Sequence, residues 1–242
     1  MQNSSIFFSN LWARVRELIF PSLCYGCGKK LDFAACRQNR LLCSVCLSFL
    51  QPLRREGRCK KCFKEMEEGL CFHGFSYPFA SFRIIFEQDT CIKNVLKQAE
   101  KQSSFFLWKA LASYVVQTWV EDSWPFPSRI IFLSPSLLRK WRKGENVNFL
   151  LAKEVGNLLQ VPLVFPVKTG IGVPDLSLAP LFSQERSSQD LFFFSFDQDK
   201  GPLLFVTVRS SKDRYVEDLI GREIKRVYPK VTLYAVSLVG SG

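Results

Sequence analysis

The chain has 242 residues with a net charge of +11, nearly half of its residues hydrophobic and 23% charged, the composition of a globular protein. That charge excludes a neutral surface and gives a field that attracts nucleic acid, nucleotides or anionic membrane. No run approaches the roughly eighteen apolar residues of a spanning helix, and a single histidine leaves none to spare for a Ser-His-Asp or Cys-His catalytic arrangement.

At the start of the chain, Ile6, Phe7, Phe8, Leu11, Trp12, Val15, Leu18 and Ile19 recur at helical spacing, while Arg14, Arg16 and Glu17 interrupt any signal-like hydrophobic region. This predicts an amphipathic helix over 1–20 that packs on the rest of the protein, with membrane-surface binding as the lesser alternative. Two knuckles follow, Cys24-Tyr25-Gly26-Cys27 and Cys43-Ser44-Val45-Cys46, fifteen residues apart, and then a third, Cys59-Lys60-Lys61-Cys62. Two Cys-x-x-Cys turns at such a separation present four thiolates to one tetrahedral Zn²⁺, with each sulfur about 2.3 Å from the ion. Eight of the nine cysteines fall between positions 24 and 71. Core cysteines acting as small hydrophobes would be scattered, and a secreted disulfide framework has an even count and an export signal. Cys24, Cys27, Cys43 and Cys46 are therefore read as a zinc site. Cys59, Cys62 and Cys71, with His73 as fourth ligand, form a possible second one, against the alternative of a loop histidine beside a decayed site. An interleaved set, Cys24 and Cys27 with Cys59 and Cys62, is also conceivable. Cys36 and Cys91 read as packing thiols. Reduced thiols without an export signal point to the cytoplasm.

The remainder alternates between helix and strand. Cys91–Lys97 and Phe105–Val120 have helical character, Arg129–Ser134 reads as a buried strand, Asn146–Leu159 as a helix, and Val161–Val167 as a strand that Pro162 and Pro166 push to an edge. Lys168–Pro180 reads as a loop. Leu203–Val208 is the strongest strand, followed by a helix bearing Val216, Leu219, Ile220, Ile224 and Val227 and a last strand over Val231–Val239. Strand, helix, strand in this order predicts right-handed parallel crossovers and an α/β domain. The chain is thus divided into a helix (1–20), a cysteine-rich zinc module (21–75) and an α/β domain (76–242).

In parallel sheets, ligands sit beyond the carboxyl ends of strands. Two loops leave such ends. The first carries Arg139, Lys140, Arg142, Lys143, Gly144 and Asn146, and the second Arg209, Ser210, Ser211, Lys212 and Asp213. Hydroxyls and cations before a helix favour a phosphate-sized anion, although Ser and Asp there are also ordinary caps. No Gly-x-x-x-x-Gly-Lys loop is present, which argues against an NTPase.

The cysteine ribbon, the helical linker, the basic loop ending Lys143-Gly144-Glu145-Asn146 and the closing strand-loop-helix-strand unit resemble the ComF family, over Phe20 to Val239. Gly144 and Asn146 match the family's Arg-Gly-Phe-Asn core, with Lys143 for its arginine, and Arg186, Gln189 and Phe194 stand where a later Arg, Asn and Phe occur. The resemblance implies a zinc ribbon before a type I phosphoribosyltransferase-like parallel sheet, and a role in competence for DNA uptake. The departure falls at the phosphoribosyl diphosphate loop, Val-Asp-Asp-Val then Thr-Thr-Gly-x-Thr in the family. Here Thr207 and Val208 occupy the acidic positions, and Ser211, Lys212, Asp213 and Tyr215 replace Thr, Thr, Gly and Thr. Valine cannot accept a ribose hydroxyl, and Asp213 places a negative charge beside the phosphate seat. The resemblance, so modified, implies a non-catalytic protein that binds nucleic acid, single-stranded DNA above all, or competence and DNA-processing proteins, with phosphoribosyl diphosphate an unlikely ligand. The competing reading is a divergent phosphoribosyltransferase.

Overall fold

The computed structural model describes residues 22–31, 41–66, 71, 77–102, 105–133, 146–164, 201–210 and 215–240. The expected N-terminal helix and the 168–180 loop lie outside them. The described residues form two compact units, one holding those up to Gln51 together with Asp89–Gln102, the other Pro52–Gln88 and those from Ser103 onward.

In the first unit, helix α1 (Ser44–Phe49) is a single turn and a half whose N-cap is Cys43, its sulfur accepting from Cys46 N–H. Helix α2 (Thr90–Gln102) starts behind Asp89, whose carboxylate accepts from Ile92 N–H at 2.7 Å. Among the described residues of α2, Ile92, Val95, Leu96 and Ala99 are buried, at the helical spacing of one apolar face.

The second unit is built on strands β1 (Ser81–Phe86), β2 (Arg129–Phe132), β3 (Leu163–Val164), β4 (Leu203–Arg209) and β5 (Leu233–Val239), in the order β1-β5-β4-β2-β3. Every pairing is parallel. This is the α/β class expected from the sequence, and the near-continuous apolar runs of β4 and β5 are what a sheet covered on both faces requires. Helices α3 (Phe105–Glu121) and α4 (Val147–Leu159) cover one face. Trp119 and Trp124 stack on Tyr234, and Phe149 on Phe132. Helix α5 (Tyr215–Val227) covers the other, where Ile220 and Ile224 join Phe82, Ile131, Phe205, Leu233 and Ala235 in one core. Gly221 lets α5 approach closely, since a Cβ there would come within 2.6 Å of Pro78.

The helices and strands predicted within the described residues occur, with shifted ends. The strand expected over 161–167 is described only as Leu163–Val164, and it lies at the sheet edge as its prolines imply. Strand β1 was not anticipated. Its run is interrupted by Arg83, yet all six residues are buried.

Candidate functional site

The first thiol cluster is made by two local structures. Residues 23–30 form a tight hairpin closed by a Leu23–Lys30 bridge and by Gly28 N–H donating to Cys24 O at 2.8 Å, with Gly28 at φ 74°, a turn conformation open to glycine at no steric cost. Capping of α1 then brings up Cys43 and Cys46. The sulfurs of Cys24, Cys27, Cys43 and Cys46 all lie within 4.8 Å of one another, and those of Cys27 and Cys43 are 3.8 Å apart. Backbone N–H groups point at sulfur: Cys43 N–H to Cys24 Sγ at 3.3 Å and Cys46 N–H to Cys43 Sγ at 3.4 Å. Burial alone would push the Cys24 thiol up, but the N–H groups of Cys43, Cys27 and Gly26 outweigh it and bring it down to about 6. Burial, reinforced by the neighbouring thiols, pushes Cys46 well up. Binding of a cation by all four sulfurs would require Cys46 to give up its proton, so metal uptake at this cluster would release protons.

The second cluster repeats the first hairpin. An Arg58–Glu65 bridge closes it, Phe63 N–H donates to Cys59 O at 2.9 Å, and the left-handed position after the second cysteine is Phe63, at φ 58°. Cys59, Cys62 and Cys71 bring three sulfurs together, Cys62 and Cys71 3.2 Å apart. Lys61 N–H reaches Cys59 Sγ at 3.4 Å. Burial opposes ionisation of Cys59, but the N–H groups of Cys62 and Lys61 draw it down, while burial pushes Cys62 up to about 12. The structure groups the thiols as first knuckle with second and third with Cys71, rather than interleaved. The eight described cysteines are free thiols, and both groups can hold a metal ion. His73 and Cys36 lie outside the described residues.

The third knuckle is fixed to the sheet. Phe82 N–H donates to Lys61 O at 2.7 Å, and Ser81 Oγ to Lys60 O at 2.8 Å. Phe63, only 1% exposed, enters the sheet core with the guanidiniums of Arg83 and Arg58 over its ring at 4.4 and 5.2 Å. Arg83, 5% exposed, also donates to Leu53 O at 2.8 Å. Its Nη1 lies 3.9 Å from Asp122 Oδ1, which Arg55 binds at 2.9 Å. Burial pushes the Asp122 carboxyl up, and the two arginines pull it back.

At the other end of the sheet is its topological switch point. From β2 the chain moves outward to β3, and from β4 in the opposite direction to β5, so the switch point lies between β2 and β4. Both loops singled out in the sequence leave from it. Arg139, Lys140, Arg142, Lys143, Gly144, Ser211 and Lys212 lie outside the described residues. Asn146 is the N-cap of α4, its Oδ1 accepting from Asn148 N–H at 3.0 Å and its Nδ2 donating to Leu133 O at 3.2 Å. Arg209 is exposed at the end of β4, and Ser210 is buried, its N–H on Val239 O at 3.0 Å. A residue absent from the sequence reading, Asn148, bridges the two strand ends. Its Oδ1 accepts from Val208 N–H at 2.8 Å and its Nδ2 donates to Leu133 O at 3.2 Å. Thr207 Oγ1 donates to Arg209 O at 3.1 Å, and Thr207 and Val208 are both buried. Only asparagine's paired donor and acceptor at a helix start could have signalled this, and that pattern reads first as a cap.

Comparison with known proteins adds the following. No protein-family profile and no curated protein matches the sequence. Among solved structures the chain is similar to the adenine phosphoribosyltransferase of Trypanosoma brucei, at 14% identity over 62% of this chain and 68% of that one, with a TM-score of 0.30. The adenine phosphoribosyltransferase of Leishmania tarentolae is similar at 10% identity over 62% and 75%, with a TM-score of 0.32. The hypoxanthine-guanine phosphoribosyltransferase of L. donovani follows at 15% identity over 55% and 69%, with a TM-score of 0.27. No helix among the described residues is long and apolar enough to cross a membrane.

Proposed function

We propose that this chain is a zinc-binding, ComF-like protein of the cytoplasm. In this reading its phosphoribosyltransferase-like sheet is non-catalytic, and it uses its basic loops to bind nucleic acid, single-stranded DNA above all, in DNA uptake or processing. Zinc is the metal favoured by tetrahedral all-thiolate donor sets. The observation that carries the non-catalytic reading is the end of β4 at the switch point. Positions where a phosphoribosyl diphosphate site needs two carboxylates hold Thr207 and Val208, both buried. The Thr207 hydroxyl is spent on Arg209 O and the Val208 N–H on Asn148. A ribose diol arriving there meets no acceptor of the required kind, and transition-state stabilisation is lost with it. The cations at Arg139, Lys140, Arg142, Lys143, Arg209 and Lys212 remain, and a net charge of +11 favours a polyanion.

The test is a titration of the zinc-quantified protein with fluorescent single-stranded DNA and, in parallel, with phosphoribosyl diphosphate, each at two salt concentrations. DNA binding that falls steeply with salt and weakens on Arg139→Ala or Lys143→Ala supports the proposal. Saturable phosphoribosyl diphosphate binding without DNA binding overturns it in favour of a divergent phosphoribosyltransferase.

A further inference from the structure

A fifth sulfur stands beside the first cluster. Cys91, in the first turn of α2, donates its Sγ–H to Cys46 O at 3.6 Å. The sulfurs of Cys91 and Cys46 converge at Gly26, inside the first knuckle, where a Cβ would sit 2.8 Å from each of them, a separation no side chain tolerates. Asn94, one turn along α2, fixes this approach by donating to Gly26 O at 2.9 Å. Cys24, Cys27, Cys43 and Cys46 already supply a complete tetrahedral set, so Cys91 is surplus to the metal yet in contact with one of its ligands. Cys46 is buried, whereas Cys91 is half-exposed and is the thiol of the pair that a small oxidant reaches first.

We propose that Cys46 and Cys91 are an oxidation site, an exchangeable thiol pair that converts a metal ligand into a disulfide. With hydrogen peroxide as oxidant, the Cys91 sulfur attacks one peroxide oxygen. A sulfur–oxygen bond forms as the oxygen–oxygen bond breaks, and water leaves with the thiol proton. The Cys46 sulfur then attacks the sulfenic sulfur. The disulfide forms as the sulfur–oxygen bond breaks, and the departing oxygen leaves as water with the Cys46 thiol proton or, where Cys46 holds the metal as a thiolate, with a proton from solvent. Each sulfur has lost one electron, the peroxide has gained two, and the cluster has lost a ligand, which leaves Cys24, Cys27 and Cys43. The metal-release part of this rests on the zinc reading of the first cluster; the disulfide does not.

The experiment uses the full chain, with metal content measured first. Hydrogen peroxide is added, metal release is followed with a chromogenic chelator, and disulfides are mapped by mass spectrometry after alkylation. A Cys46–Cys91 cross-link, metal release in step with it and reversal by a thiol reductant are expected. Cys91→Ser and Cys91→Ala, each carrying the same metal as the wild type, should abolish the cross-link and slow release several-fold. Cross-links confined to Cys24, Cys27, Cys43 and Cys46, or release unchanged in both variants, overturn the proposal. If the purified chain carries no metal, the zinc reading fails by itself, and the presence or absence of the Cys46–Cys91 cross-link under peroxide still decides the pair.

Discussion

The hairpin of residues 23–30 and that of residues 58–65 have one backbone design and two means of support. Both close with an antiparallel bridge, and both place the residue after the second cysteine in a left-handed conformation. In the first that residue is Gly28, which has no side chain to bury, so beyond the bond of Asn94 to Gly26 O the proposed zinc reading makes the loop depend on the metal that Cys24 and Cys27 would share with Cys43 and Cys46. In the second it is Phe63, which accepts backbone strain of roughly 1 kcal/mol. Burial of the ring in the sheet core and two guanidiniums over it offset that cost. On that reading the same cysteine motif serves once as a metal-dependent module and once as an extension of a hydrophobic core, and the two differ at the residue after the knuckle.

The sharpest way to break the comparison is at the thiols. On the proposed zinc reading, Cys24→Ser removes one ligand of the first cluster, where a structural zinc would supply about 10 kcal/mol or more of folding free energy. The chain should lose that metal equivalent by mass spectrometry while the sheet keeps its cooperative melting. Acid should reach the same end gradually. Cys24 is held at about 6 against an ordinary 9.0, so its thiolate stabilises the folded form fully above 9 and loses that contribution as pH falls through 6. Metal affinity, followed by chelator competition, should therefore fall as pH is lowered, and more steeply once pH drops below about 6 and Cys24 also takes up a proton.

Phe63→Ala tests the other half. Emptying that place in the core should cost the sheet unit about 3–5 kcal/mol in urea unfolding. Arg83→Met should cost about 3 kcal/mol, because Asp122 then loses one of its two cations in a buried place. Arg83→Met combined with Asp122→Asn should recover part of the loss, and a double variant no better than the single one would show the pair is not coupled. The smallest effect is Gly28→Ala, about 1 kcal/mol from the left-handed turn, read as a lowered metal affinity rather than as a change in sheet stability.

Much of the α/β unit is legible in the sequence because its elements carry their own pattern. Leu203–Val208 is apolar except at Thr207, and Asn146 with the 3.6-residue pattern behind it marks the start of α4. β1 escapes the same reading because Arg83 breaks the run, and only Phe63, Leu53 and Asp122, from two other parts of the chain, make an arginine tolerable there. Phenylalanine likewise gives no hint of a left-handed turn. The spacing of Cys24, Cys27, Cys43 and Cys46 identifies a metal site but leaves the grouping of knuckles open, since loop lengths permit more than one pairing. Cys91 reads as a packing thiol because its distance from Cys46 in sequence hides a contact that α2 creates. Asn148 is hidden in the same way, its partners being Leu133, just past β2, and Val208 in β4.

The most direct test of the two-support account is hydrogen exchange by mass spectrometry on the full chain with and without a zinc chelator. Loss of protection over residues 22–31 and 41–50, with residues 58–66 and 81–86 still protected, is the result the account predicts. Equal loss over both hairpins, or none over either, would contradict it.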